Sequence, residues 1–211
     1  MSLAAKCLEA ASAQDVESGE SGLWSIDKLP ISNPEGLTTD GPKGEEIHLP
    51  EGVYTNLWRW TTATLHHGRG ELVMHDFPKE LRKHLQFMLS AHGRVLITGL
   101  GLGCVARGCL ANPAVKHVVV VEKSPDVMRL VARYMPRKGL TIVFADALRW
   151  CAHNTRRFDC AWHDLWSDES EGEPHLQLLH AELIRKMMGK ASFQGAWELP
   201  RWFRRTVEGV I

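Results

Sequence analysis

The sequence predicts an α/β fold, a Rossmann-like, doubly wound and mostly parallel sheet, with a β-hairpin appendage on its N-terminal side. Three observations carry this prediction. Beyond Gly93, short apolar runs alternate with helical patterns four times in succession, the order that builds a parallel sheet with right-handed crossovers. The run Val118 to Val121 is pure valine, which suits a central strand buried on both faces. Directly after the first apolar run comes Gly99-Leu100-Gly101-Leu102-Gly103, and glycines permit the tight passage from strand to helix.

The 211 residues, 44% hydrophobic and 24% charged, are enough for one sizeable core or one core plus an appendage. No apolar run approaches the ~20 residues that span a bilayer, and Glu9, Asp15, Glu17 and Glu20 leave no apolar signal core near the start. A cytoplasmic protein with no membrane association is expected. The five cysteines are scattered and never in Cys-x-x-Cys spacing, so reduced thiols are expected. A formal charge of zero hides an asymmetry: residues 1–46 hold nine acids and three bases. That stretch is rich in Ser, Gly and Pro and poor in long apolar runs, and reads as a flexible acidic segment. The remainder is moderately basic, well short of the pI above ~9 of a nucleic-acid footprint, so nucleic acid is not favoured as a partner.

The second segment, residues 47–93, reads as hairpin and lead-in helix. Tyr54 to Thr64 is dense in aromatic and β-branched residues, His66 to Gly70 interrupts it, and Glu71-Leu72-Val73-Met74 follows, a β-hairpin pattern. Pro78 stands at a first helical position, with Leu81, Leu85, Met88 and Leu89 at helical spacing up to Gly93. In residues 94–211 the predicted strands are Val95 to Thr98, Val118 to Val121 ending in Glu122, Thr141 to Ala145, and Phe158 to Trp162. Helices are predicted up to about Leu110, from the Ser124-Pro125-Asp126 cap through Tyr134, and over Ala147 to His153. Pro174 to Met188 reads as an amphipathic helix and Phe193 to Trp197 as a fifth strand, at which the sheet is expected to stop. Such an end exposes an unpaired edge beside Trp197 and Trp202, and a homodimer is expected.

The glycine turn brings backbone N–H groups close to a ligand. Gly101-x-Gly103-x-x-Ala106 also satisfies the dinucleotide fingerprint, with Glu122 placed 21 residues after Gly101 where an acid binds a ribose diol. Downstream, Asp146-Ala147 closes the third strand and can accept the adenine amino hydrogen, a contact without a role in the dinucleotide reading. Asp164 closes the fourth strand, at the carboxyl edge where open α/β sheets bind ligands. It is the catalytic candidate, a carboxylate able to orient or deprotonate an amine or hydroxyl. His163, Trp166 and Asp168 beside it are weaker substrate-side candidates. Eleven histidines include no set with zinc-ligand spacing.

Over Arg94 to Trp166 this order of glycine loop, ribose acid, adenine-side acid and fourth-strand acid resembles class I S-adenosylmethionine (SAM)-dependent methyltransferases. Within that superfamily Val95-Leu96-Ile97-Thr98-Gly99 and Val119 to Val127 look like the spermidine synthase branch, as does the hairpin region. The resemblance implies SAM as cofactor, with Gly99, Leu100, Gly101, Gly103, Glu122, Lys123, Asp146 and Ala147 around it. In that branch the loop usually reads Gly-Gly-Gly-Asp-Gly, and Leu102 stands here at the Asp that would hold an amine. Methyl transfer to an unidentified acceptor is therefore the expected activity. The alternatives are aminopropyl transfer and a non-catalytic SAM- or nucleotide-binding partner subunit.

Overall fold

The computed structural model describes residues 1–32, 38–40, 46–48, 51–60, 70–165 and 174–196. The chain opens with α1 (Leu3–Ala11), then β1 (Gly19–Ser21), β2 (Trp24–Ile31), β3 (Thr38–Asp40), β4 (Glu46–His48), β5 (Gly52–Arg59) and β6 (Glu71–His75). After α2 (Pro78–Ser90) come β7 (Gly93–Thr98), α3 (Cys104–Leu110), β8 (Val115–Glu122), α4 (Pro125–Val131) and β9 (Leu140–Phe144). The chain continues through α5 (Ala147–His153), β10 (Phe158–His163), α6 (Pro174–Met187) and β11 (Ala191–Ala196).

Strands β7 to β11 form a five-stranded sheet in the order β11-β10-β7-β8-β9, and every neighbouring pair in it is parallel. The valine run explains why β8 sits inside. Val118 and Val120 enter one core cluster with Val95, Ile97 and residues of α1 to α4, while Val119 and Val121 enter the other with Leu96, Cys151, Leu183 and Met187. Side chains alternate across a strand, so four valines fill both faces. Each fully buried one contributes roughly 1.5–3 kcal/mol.

The expected hairpin is present as the antiparallel pair β5 and β6, and it belongs to a four-stranded sheet in the order β1-β2-β5-β6. Of the interruption expected at His66 to Gly70, residues 66–69 lie outside the described residues. Among the described residues no helix is long and apolar enough to cross a membrane.

The first 32 residues correct the sequence reading of a flexible acidic segment. Ser2 caps α1 by accepting from the N–H of Ala5, and Cys7, Ala11, Ala13, Val16 and Ile26 are buried in the main core. Polar contacts hold the segment down. Asp76 Oδ2 accepts from the N–H of Ala13 at 2.8 Å and its Oδ1 from the N–H of Thr55 at 2.7 Å. Asp15 pairs with the nearly buried Arg107 of α3 at 2.8 Å, and Tyr134 Oη donates to Glu17 at 2.7 Å. Asp15 and Glu17, counted among the acids of this segment, are thus bound to fixed partners.

Candidate functional site

The strand order reverses between β7 and β10, and this is where an open α/β sheet forms its crevice. The carboxyl ends of four strands are fastened together there. Gly99 N donates to Val121 O at 2.9 Å, Ala145 N to Glu122 O at 3.0 Å, and Asp164 N to Thr98 O at 2.9 Å. These bonds set Asp164, Gly99, Glu122 and the start of α5 side by side along one edge, in the order of the strands. The sequence could name the four positions; their adjacency follows from the crossovers.

Gly99, at φ 95°, lies so close to the Asp164 carbonyl oxygen that a Cβ would overlap it. The loop therefore passes directly over the end of β10. Gly101, at φ 51°, is approached less tightly by the Met74 sulfur, 2.6 Å from where a Cβ would stand, and Met74 Sδ accepts from the N–H of Leu102 at 3.3 Å. Met74 comes from β6, in the N-terminal sheet, and sequence reasoning missed it because nothing local ties that strand to the loop. Of the loop N–H groups, that of Gly99 goes to Val121, those of Leu100 and Leu102 to side chains, and that of Gly103 to Leu100 O. The N–H of Gly101 has no acceptor among the described residues. Leu102 is fully buried, so the loop presents no carboxylate at that position.

Glu122, 8% exposed, reaches from the end of β8 to the loop. Its Oε2 accepts from Leu100 N at 2.8 Å and its Oε1 from Ser124 N at 2.6 Å. A carboxylate offers about four acceptor positions, so two remain after these bonds. Asp146 caps α5, with Oδ1 accepting from Arg149 N at 2.9 Å, and is exposed. Ala147 is buried behind it and Lys123 is exposed beside Glu122. Asp164 is half-buried at the end of β10.

His163 is corrected from substrate wall to core. It is fully buried, with Nδ1 at 3.0 Å from Thr98 Oγ1 and Nε2 at 3.2 Å from Gln194 Oε1. A carboxamide oxygen only accepts, so Nε2 carries the hydrogen and Nδ1 accepts from the Thr98 hydroxyl. Burial lowers its pKa to about 4, against the opposing bond to Gln194, and the ring is neutral. Trp166 and Asp168 lie outside the described residues, as do Trp197 and Trp202.

Burial keeps Cys104, at the start of α3, as a thiol. Burial first, then the Asp76 charge, raise its pKa; Arg107 opposes, and Glu80 and Asp164 add to the rise. A thiolate nucleophile at this position is disfavoured. Glu80 is itself an ion: burial raises its pKa, but hydrogen bonds and charge from His84 and Lys83 outweigh this and bring it to about 2.

No protein-family model matches the chain, and no curated protein matches it. Among solved structures it is similar to a spermidine synthase in complex with the transition-state analogue AdoDATO, at 17% identity over 92% of this chain and 64% of that one, TM-score 0.54. A spermidine synthase from Thermotoga maritima gives 18% identity over 69% of this chain and 46% of that one, TM-score 0.44. Human methyltransferase-like protein 13 in complex with SAH gives 19% identity over 54% and 57%, TM-score 0.40. The chain spans less than two thirds of the length of each of these. At such identity the likeness is one of fold: the chain shares a Rossmann-like fold with the spermidine synthase bound to AdoDATO.

Proposed function

We propose that the protein is a SAM-dependent methyltransferase acting on an acceptor not yet identified. The observation that carries this is the row of Gly99 to Gly103, Glu122, Asp146 and Asp164 along one strand edge at the reversal of sheet order. When bound there, SAM would supply a sulfonium methyl group to the acceptor nucleophile and leave as S-adenosylhomocysteine. The two unused acceptor positions of Glu122 suit the hydrogens of a ribose diol. Asp146 keeps one carboxylate oxygen beyond its helix cap for an amino hydrogen. The N–H of Gly101 is the loop donor left for the amino-acid end. From the end of β10, Asp164 orients the acceptor and takes the proton that its nucleophile loses.

Fully buried Leu102 favours methyl over aminopropyl transfer, since the loop has no acid there to hold an amine. We also place the protein in the cytoplasm as a homodimer. Five buried free cysteines support the first, and Phe193, 40% exposed on the terminal strand of the sheet, supports the second. Calorimetric titration with S-adenosylhomocysteine tests the cofactor assignment: binding to S-adenosylhomocysteine and none to NAD is expected. Binding of NAD alone would return the glycine loop to the dinucleotide reading.

A further inference from the structure

Phe144 is 62% exposed. It is the last residue of β9 and stands two residues before Asp146. An aromatic ring left in water forgoes the burial that normally gives it its stabilising value, and among the described residues no other aromatic side chain is exposed to this degree. Its position in the sheet gives the exposure a direction. Phe144 is the register partner of Glu122 across the parallel pair β8 and β9, and register partners on neighbouring strands point to the same face. Alternation along each strand agrees: Val118 and Val120 lead to Glu122, Ile142 leads to Phe144, and all three of these apolar residues pack in the same core cluster. Neighbouring strands lie ~4.8 Å apart, about the distance from a ribose diol to the middle of the base it carries.

From this juxtaposition we infer that Phe144 is the platform on which the base of a bound nucleoside stacks. The inference rests on the S-adenosyl reading of Glu122 given above and deepens it by assigning the base-binding residue. With the diol on the free acceptor positions of Glu122, the base reaches over β9 to the Phe144 ring, and its edge comes to Asp146 at the start of α5. The assignment explains why a large apolar ring is kept at the wet end of an edge strand. It also makes the ligand's recognition depend on a flat aromatic base as well as on the sugar.

The test is titration of the full chain and its Phe144→Ala, Phe144→Leu and Phe144→Tyr variants with S-adenosylhomocysteine and with adenosine, alongside thermal melts without ligand. Because the side chain is mostly exposed, all variants should melt close to the wild type. Base-to-aromatic stacking contributes ~1–3 kcal/mol, so Phe144→Ala should weaken both ligands at least fivefold. Phe144→Tyr should restore affinity to within about twofold, and Phe144→Leu should fall between, an order that general loss of packing would not produce. Wild-type binding with equal affinity in Phe144→Ala would overturn the platform while leaving the S-adenosyl reading intact. If the wild type binds neither ligand, that reading falls and the platform with it. A Phe144→Ala variant that loses self-association but keeps its affinity would show the ring to be an interface residue, which also overturns the proposal.

Discussion

Replacing Glu122 by Gln separates the structural work of this carboxylate from its proposed ligand work. The side chain is nearly buried and accepts two backbone N–H groups, from Leu100 at 2.8 Å and from Ser124 at 2.6 Å. Gln has almost the same shape but only one acceptor oxygen, and its NH2 must face one of these donors. Leu100 is buried whereas Ser124 is half-buried, so the oxygen should turn to Leu100 and leave the Ser124 N–H to water. The loss is then one charge-assisted bond and the charge on the other, about 2 kcal/mol. Glu122→Ala orphans the buried Leu100 N–H as well and should cost about 3–5 kcal/mol. For a chain of this size, 1 kcal/mol moves Tm by ~2–4 °C, so Gln should melt about 4–8 °C lower and Ala lower still. Urea denaturation without ligand reads the order wild type, Gln, Ala. A Gln variant within 0.5 kcal/mol of wild type would refute the bridging role. In calorimetry well below these midpoints, Glu122→Ala should in addition weaken S-adenosylhomocysteine by roughly 1.5–3 kcal/mol.

Asp76→Ala removes the acceptor from two buried N–H groups, those of Ala13 and Thr55, and should cost about 3 kcal/mol or more; protease cutting before residue 20 should rise with it, and an unchanged cutting rate would mean that the segment is held elsewhere. His163, lowered to about 4 by burial, binds its proton more readily unfolded than folded. Its contribution to stability is full above the unfolded value of about 6.5 and is lost as pH falls toward 4. Glu80, at about 2, adds a second loss between about pH 4.5 and 2. Urea midpoints should thus be flat between about pH 7 and 8 and fall in acid, and His163→Gln should flatten the slope between pH 4 and 6.5; a slope equal to wild type would count against the buried neutral ring. Asp164→Asn should keep S-adenosylhomocysteine affinity within a few-fold while slowing labelled methyl transfer about 10²-fold or more, and wild-type turnover in this variant would remove Asp164 from the chemistry.

The sequence by itself determined the parallel sheet and the order of its helices, because each of these elements is short and marked within its own span. The valines of β8, the Ser124-Pro125 cap and the span Ala147 to His153 are local signals, and the helices and strands fall on them. It also determined the glycine loop and Glu122, since a strand-to-helix turn and the acid one strand later are read from spacing alone. Tertiary structure decided what depends on partners far apart in the chain. Ala11, Ala13 and Val16 make no apolar periodicity of note, yet they are buried in the main core, where Asp76, some sixty residues along the chain, accepts from the N–H of Ala13. His163 became a neutral core residue because the fold buries it completely, with Thr98 and Gln194 meeting its two ring nitrogens. Met74 reached the loop through a sheet whose packing the pattern of β6 does not encode, and Phe144 was left exposed because β9 ends the described sheet. Burial and hydrogen-bond partnership are sums over the whole folded chain, and a window of neighbouring residues does not contain them.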